Sequence, residues 1–149
     1  MSEHHARLHW ARETTDFAYE SYDRSHTLTY GGGTTVRASS AAEYRGNPAY
    51  MNPEEALVGA LSSCHMLTFL AICARKKIVV DAYEDEAVGH LEKNAEGRLS
   101  LTRVILRPRI AYAGSAPTRE AEVELHHQAH LGCFIANSVK TEVTVEPRE

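Results

Sequence analysis

The sequence predicts an α+β protein with the element order β-β-β-α-β-β-α-β. Three observations lead to this fold class. Short segments near the N-terminus alternate apolar with polar residues, one long apolar segment has helix signals at both ends, and two longer strand-like segments precede a second helix. The predicted strands are residues 6–12, 25–30, 34–38, 79–91, 99–112 and 139–145, and the predicted helices are residues 53–76 and 118–131.

Turn and cap residues mark the boundaries of these elements. Residues 31–33 are three glycines between the second and third strands, and residues 94–97 join the two longer strands as a hairpin. Thr118 is a candidate cap of the second helix, which Gly132 ends. Because this helix has few apolar residues, we expect it to lie on the surface.

The long helix has clear signals at its start and its end. Asn52 is a good N-cap, Pro53 suits the first helical position, and Glu54 and Glu55 favour the positive end of the helix dipole. Basic residues at 75–77 suit the negative end. The middle of the helix is apolar on nearly every side, which predicts burial all round. Because a chain of this size can hardly surround the whole helix, we expect a second subunit to cover part of the helix.

Composition and charge exclude several classes of protein. With 149 residues, 43% of them hydrophobic and 24% charged, the chain is typical of one soluble domain spanning residues 1–149. A net charge of −4 argues against nucleic acid as a partner. No uninterrupted apolar run reaches the roughly 18–20 residues of a membrane span, and the first residues contain no apolar signal segment. We therefore expect a cytoplasmic protein that does not bind membranes.

Three cysteines in a reducing compartment are more often reactive or metal-binding than structural. Cys64 lies in the middle of the long helix, where it is either a small buried residue or a reactive thiol. Cys73 is about 180° away around the same helix, so we expect a core residue. Cys133 follows Gly132 where a new helical turn begins, and backbone N–H groups at such a start would lower its pKa. The alternative for Cys133 is an inert, half-buried thiol.

Two motifs resemble the OsmC/Ohr family (osmotically induced protein C and organic hydroperoxide resistance protein). Residues 52–64, Asn-Pro-Glu-Glu-Ala-Leu-Val-Gly-Ala-Leu-Ser-Ser-Cys, are similar to the family's helix start and reactive cysteine, and residues 133–139 are similar to its second cysteine segment. The resemblance extends over essentially the whole chain. It implies antiparallel sheets around a long buried central helix in an intertwined homodimer. Phe134, where many members have proline, and the sequence Ser63-Cys64-His65 indicate a less-characterised branch.

The resemblance also implies a function and its residues. Cys64 would attack an organic hydroperoxide, Cys133 would resolve the sulfenic acid as a disulfide, and an external dithiol, such as a reduced lipoyl group, would reset the enzyme. No cofactor or metal takes part. The family activates its thiolate with an arginine held by the glutamate of the Asn-Pro-Glu motif, which is Glu54 here. Arg24 is our choice for that arginine, with Arg37 and Arg45 as alternatives.

Helix geometry adds an expectation about assembly. Cys64 and Glu54 are ten residues apart, or about 15 Å along one helix. An ion pair with Arg24 bridges this distance only with difficulty inside one chain. We therefore expect an obligate homodimer with two composite sites. The apolar helix lining favours bulky organic hydroperoxides over hydrogen peroxide.

Other interpretations of the same residues are weaker or remain as alternatives. His127, His130 and Cys133 are spaced like zinc ligands, but they are poorly aligned, so a solvated helix face is expected for His126, His127 and His130. His65 is expected to be a satisfied interface histidine. A cysteine hydrolase lacks a matching histidine signature. A non-catalytic redox sensor or small-molecule binder with the same fold remains the main alternative to a peroxidase.

Overall fold

The computed structural model describes all 149 residues, and the predicted α+β class is confirmed. Two α-helices, eight strands and two short 3-10 helices follow one another in the chain. The strands are β1 (Ala6–His9), β2 (His26–Tyr30), β3 (Thr35–Ala38), β4 (Val80–Asp85), β5 (Val88–Lys93), β6 (Leu99–Leu106), β7 (Pro108–Tyr112) and β8 (Glu142–Val145). The helices are α1 (Pro53–Arg75) and α2 (Arg119–Gly132). The chain forms two compact units, residues 1–56 and 57–149, and the single domain stays a prediction.

The first unit is an antiparallel sheet with the strand order β1-β2-β3. The turn between β2 and β3 needs glycine, because Gly33 has a φ of 86°. Gly46, in the following loop, is also required, because a Cβ there would lie 1.5 Å from the Ser40 carbonyl oxygen. Only Ala38 and Ser39 are buried in this unit, and β1 is exposed along its whole length. The half-buried first strand that its alternation predicts is therefore not observed within one chain.

The start of α1 follows its sequence signals. The Asn52 side chain accepts a hydrogen bond from the Glu55 backbone N–H at 2.8 Å, and the Glu55 carboxylate accepts one from the Asn52 N–H at 3.2 Å. This reciprocal pair is a capping box, which satisfies two backbone donors that the helix leaves free. The helix ends where Lys77 adopts a left-handed φ of 59° and the Ile78 N–H bonds to the Cys73 carbonyl.

Helix α1 buries one stripe of side chains rather than its whole circumference. Its buried residues, Leu61, His65, Phe69 and Cys73, are each four positions apart and therefore share one face. Leu67, on another face, is 60% exposed. One chain therefore buries only part of the helix, and its coverage by a second subunit stays a prediction. By length and composition alone α1 could also cross a membrane, a test that core helices of soluble proteins pass as well.

The second unit contains two small sheets instead of one pair of long strands. The predicted strand 79–91 is divided into β4 and β5, and the predicted strand 99–112 is divided into β6 and β7. β4 pairs with β7, whereas β5 and β6 form a sheet with β8. The Asp85 carboxylate accepts the Arg107 backbone N–H at 2.6 Å, and Pro108 has no N–H to continue a ladder. These two features break the long strands at the same place.

One strand pair departs from the expected antiparallel arrangement. β5 and β6 are antiparallel, and so are β4 and β7, but β8 runs parallel to β6. The chain reaches β8 through α2, a crossover that a parallel pair requires.

Two apolar cores hold the second unit together. One is formed by Phe69 and Cys73 of α1 with Leu125 and Ala129 of α2. The other is formed by Leu61 of α1 with Val104 and Leu106 of β6. Because α1 takes part in both cores, the position of its middle turns is fixed from two sides.

Helix α2 is less exposed than its composition predicts. Thr118 caps it as expected, since its hydroxyl accepts the Ala121 N–H at 3.2 Å. Leu125, His126 and Ala129 are buried. The solvated face predicted for the three histidines is therefore wrong for His126, which is only 3% exposed.

Candidate functional site

Cys64 lies in the central turns of α1 and is half-buried. The Thr68 hydroxyl donates to the Cys64 carbonyl oxygen at 2.9 Å, one turn further along. Leu61, which precedes Cys64 on α1, belongs to one core of the second unit, and Phe69, which follows it, belongs to the other. The backbone that carries the Cys64 sulfur is therefore held firmly, while the side chain keeps some access to solvent.

Cys133 is the C-cap of α2 and is 1% exposed. Burial raises the pKa of its thiol. The Ala136 backbone N–H, which donates to the sulfur at 3.4 Å, opposes that effect but does not outweigh it. The prediction that helix-start amides lower the pKa of Cys133 is therefore wrong, because desolvation of the thiolate is the larger effect. Cys133 is thus held in its thiol form.

Cys64 and Cys133 are neighbours although they are far apart in the sequence. The Cys64 thiol is close enough to raise the pKa of Cys133 further. Both cysteines are free thiols. A half-buried thiol beside a buried one is an arrangement in which an oxidised Cys64 could meet a second sulfur without a large movement.

Cys73 belongs to a different environment. It is 1% exposed and packs in the core that Phe69, Leu125 and Ala129 form. Burial raises the pKa of its thiol, and the nearby Glu122 adds to that rise. Cys73 is the core residue that its place on the helix predicts, and nothing around it stabilises a thiolate.

A pair of buried histidines joins the two helices that carry the cysteines. His65 follows Cys64 on α1, and its Nε2 lies 3.0 Å from Nδ1 of His126 on α2. Their rings are nearly parallel, with centroids 5.3 Å apart, and Phe69 stacks on His126. Burial lowers the pKa of both histidines to about 4, so the pair is neutral near pH 7. Their spacing of 61 residues gave no local signal for this contact.

Arg24 lies in the first unit, in the loop before β2. Its guanidinium donates to the backbone carbonyls of Tyr19 at 2.6 Å and Tyr22 at 2.7 Å. It also lies over the Tyr22 ring, 3.8 Å from the centroid, and over the Tyr19 ring at 5.1 Å. The aromatic residues that flank Arg24 in the sequence therefore orient its positive charge, a role that the sequence analysis did not assign.

Glu54 does not hold Arg24 within one chain. The ion pairs of the chain join other residues, and the Glu54 side chain makes no hydrogen bond. Its neighbour Glu55 is the residue that completes the capping box. The Glu54 carboxylate, in the first turn of α1, thus has no hydrogen-bond or ion-pair partner within the chain.

The two alternative arginines are oriented differently. Arg37, on β3, lies over the Tyr50 ring at 4.5 Å. Arg45 has a left-handed φ of 63° and lies 5.6 Å from the Tyr19 ring centroid. Neither makes the pair of carbonyl hydrogen bonds that fixes Arg24.

The first unit also contains an apolar cavity of about 360 Å³ beside Arg24. Three of its walls are aromatic rings that contact one another, with centroid distances of 5.0 to 6.3 Å. Its lining comprises Leu8, Trp10, Phe17, Tyr22, Arg24, His26, Ser39, Ser40 and Pro53. A guanidinium at the side of an apolar cavity suits a ligand with one polar end.

His127 and His130 do not form a metal centre with their neighbours. No group of three histidine, cysteine, aspartate or glutamate side chains in the chain is arranged to hold a metal ion. His126, His127 and His130 instead line one side of a separate cavity of about 270 Å³ between α2 and β8.

Comparisons with known proteins agree with these observations. Residues 46–148 match the family described as OsmC-like protein. An OsmC-like protein of unknown function from Vibrio cholerae has a TM-score of 0.93 and 45% identity, over 99% of this chain and 100% of that one. Among curated proteins, none matches the chain significantly.

Two organic hydroperoxide resistance proteins have the same fold. The protein from Elizabethkingia anophelis has a TM-score of 0.74 and 18% identity, over 99% of this chain and 94% of that chain. OhrB of Bacillus subtilis has a TM-score of 0.71 and 18% identity, over 99% and 98% of the two chains.

Proposed function

The chain belongs to the OsmC-like protein family, as the sequence motifs predicted, and on that premise we propose that it is a thiol peroxidase for organic hydroperoxides. The observation that carries the proposal is the neighbouring pair of free thiols, Cys64 and Cys133. The fold is shared with organic hydroperoxide resistance proteins. Helix α1 takes part in both cores of the second unit, so we assign it as a core helix of the fold, although its length and composition alone would allow a membrane span. We expect the protein to work in the cytoplasm.

The proposed reaction has two steps on the protein. The Cys64 thiolate attacks the terminal oxygen of the hydroperoxide, the O–O bond breaks, and the departing alkoxide takes a proton to become an alcohol. Cys64 is then a sulfenic acid. The Cys133 thiol condenses with it to give a disulfide and water. An external dithiol, such as a reduced lipoyl group, attacks the more accessible Cys64 sulfur and returns both cysteines to thiols.

The first step requires a thiolate, and Arg24 is the cation that we assign to stabilise it. A positive charge within about 4–6 Å of a thiol lowers its pKa. Arg24 uses two of its N–H groups on carbonyls, which leaves others free to face an anion. Glu54, which makes no hydrogen bond within the chain, is the carboxylate that would hold the guanidinium from the other side.

We also propose that the active form is a homodimer with composite sites. Large apolar side chains remain uncovered in both units, including Phe17 at 66%, Leu67 at 60% and Phe134 at 80% exposure. Exposed apolar groups of this size are typical of surfaces that another subunit covers. Glu54 and Arg24 do not pair within one chain, which favours pairing across two. Light scattering that finds a stable, fully active monomer would remove this part of the proposal.

The substrate that fits best has an apolar body and one polar end. The cavity beside Arg24 is walled by Trp10, Phe17 and Tyr22, so an organic hydroperoxide gains free energy by burying its carbon chain there. Hydrogen peroxide has no such group to bury.

A turnover assay tests this function. The reduced protein is mixed with tert-butyl hydroperoxide and an excess of dihydrolipoamide, and peroxide loss is followed over many equivalents. A peroxidase consumes peroxide catalytically, and consumption stops when the dithiol is omitted. A redox sensor would instead consume one equivalent and then stop whichever dithiol is present. The buried position of Cys133 makes this comparison necessary, because an inaccessible disulfide would be reset slowly.

A further inference from the structure

We propose that His65 and His126 are positioning residues that hold Cys64 beside Cys133 for disulfide formation. The two histidines lie on the same two elements as the two cysteines. His65 is the residue after Cys64 on α1, and His126 is on α2, which Cys133 caps. The redox role of the thiols rests on the proposed function, but the positioning role can be tested without any peroxide.

The bond between the histidines is the one hydrogen bond that joins a side chain of α1 to a side chain of α2. Other contacts between these helices are apolar, through Phe69, Cys73, Leu125 and Ala129. Apolar contacts are not directional, so they tolerate a small slide or rotation of one helix against the other. The buried hydrogen bond at 3.0 Å limits both the slide and the rotation of one helix against the other, because its geometry tolerates little change in distance or angle.

The outer ring nitrogens of the two histidines make no hydrogen bond within the chain. His65 Nδ1 and His126 Nε2 are buried and have no partner among the protein atoms, so the bond between the two rings is the hydrogen bond that each imidazole makes within the chain. Apolar side chains of similar size would fill the same space without leaving these nitrogens unpaired. The buried polar pair supplies a directional contact that an apolar pair would lack, which supports a role in fixing how α2 lies on α1.

A second close contact lies next to the cysteines themselves. A Cβ added to Gly132 would lie 3.1 Å from Cγ2 of Thr68, whose hydroxyl binds the Cys64 carbonyl. The two helices therefore approach closely one residue before Cys133. The histidine bond lies six residues before Gly132 on α2, so α2 meets α1 at two separate points along its length.

Disulfide formation depends on this arrangement. A disulfide requires Cα atoms within about 7 Å and a restricted torsion around the sulfurs. When Cys64 is a sulfenic acid, the Cys133 sulfur displaces its oxygen, which leaves as water after taking the thiol proton. A shift of α2 along α1 separates the two sulfurs and leaves the sulfenic acid exposed to a second peroxide.

The test measures the thiol–disulfide equilibrium of Cys64 and Cys133 against glutathione in the full-length protein. Two protein thiols and one glutathione disulfide exchange for the protein disulfide and two reduced glutathione molecules. For His126→Leu and for His65→Leu we expect the effective concentration of the two thiols to fall about tenfold or more. A tenfold fall makes the reduction potential less negative by about 30 mV.

Conservative variants distinguish positioning from general packing. His126→Asn keeps a polar atom near the Nδ1 position, and His65→Gln keeps one near Nε2. We therefore expect each of these variants to have a reduction potential close to that of the wild-type protein. His127→Leu, on the exposed neighbour of His126, should leave the potential unchanged. Cys73→Ala loosens the same core without removing a ring that stacks on His126, and it should lower thermal stability without changing the potential.

The outcomes separate this proposal from the proposed function. If His126→Leu is folded and keeps the wild-type potential, or if Cys73→Ala shifts it equally, the positioning role is wrong. If His126→Leu does not fold, the double variant His65→Leu/His126→Leu, which leaves no unpaired imidazole, gives the same readout. A failure of peroxide turnover with an intact, histidine-dependent disulfide equilibrium would reject only the peroxidase function.

Discussion

Residues 1–56 and residues 57–149 differ in how completely they bury their apolar side chains. The first unit buries only Ala38 and Ser39, and Leu8 and Phe17 are largely exposed. The second unit encloses two cores and the buried histidine pair, and its two reactive-thiol candidates lie side by side. The sulfurs are therefore on a unit that encloses two apolar cores of its own, whereas Arg24 is on a unit that encloses almost no apolar side chain.

This contrast predicts that changes in the second unit abolish the chemistry, whereas changes in the first unit only slow it. The largest expected effect is that of Cys64→Ser, which should reduce peroxide consumption to background because a hydroxyl does not replace the thiolate. Stopped-flow measurement of peroxide loss checks this. Cys73→Ala is the matched control on the same helix, and it should retain activity. Full activity in Cys64→Ser would contradict the assignment of the attacking thiol.

The next effect in size is that of Arg24→Ala in the first unit. If Arg24 stabilises the thiolate as proposed, its loss leaves less thiolate at pH 7, so the rate with peroxide should fall about 10- to 100-fold. The pH dependence of Cys64 alkylation measures the thiolate fraction directly. Arg37→Ala and Arg45→Ala serve as controls. If Arg24→Ala reacts at the wild-type rate and one of the controls is slow, the activating cation is that other arginine.

The burial of two neutral histidines in the second unit should make the free energy of unfolding depend on pH. The pKa of His65 and of His126 is about 4 in the folded chain, below the ordinary value of 6.5. The unfolded chain therefore binds protons first as the pH falls, and the free energy of unfolding should decrease between about pH 6.5 and pH 4. One such histidine contributes on the order of 3 kcal/mol over that range.

Urea unfolding across this pH range measures the acid dependence. The double variant His65→Leu/His126→Leu has neither group to protonate, so its stability should change much less. A wild-type protein as stable at pH 4.5 as at pH 7 would contradict the burial of neutral histidines.

The smallest expected effect concerns the approach of α2 to α1. Gly132→Ala introduces a Cβ 3.1 Å from the Thr68 side chain, which must move by a few tenths of an ångström. We expect a loss of about 1 kcal/mol or less in the free energy of unfolding. Gly59→Ala, where a Cβ meets nothing within 4 Å, is the matched control on α1 and should not destabilise the protein.

Features fixed by local interactions were predictable from the sequence. Asn52 and Thr118 cap their helices with hydrogen bonds to backbone groups three residues away, so a short stretch of sequence contains the whole signal. The glycine turns and the family motifs are likewise contained in short stretches of sequence. The position of Cys73 on the helix was sufficient to predict a core residue, because helical periodicity decides which face it occupies.

Features fixed by distant contacts were not predictable. The division of the long strands depends on the Asp85 carboxylate taking the N–H of Arg107, 22 positions away, although Pro108 was an available signal. The pKa of Cys133 depends on how deeply the folded chain buries it, which outweighs the local amides. The contact between His65 and His126 joins two helices that are separate in the sequence.

The account depends most on the reaction between the sulfurs of Cys64 and Cys133. The direct measurement is to treat the fully reduced protein with one equivalent of an organic hydroperoxide, quench it with an alkylating reagent, and map the cysteines by mass spectrometry. The account predicts the loss of two thiols per chain, a peptide pair linked through Cys64 and Cys133, and an unmodified Cys73. Persistence of free Cys64, or its linkage to any other sulfur, would contradict it.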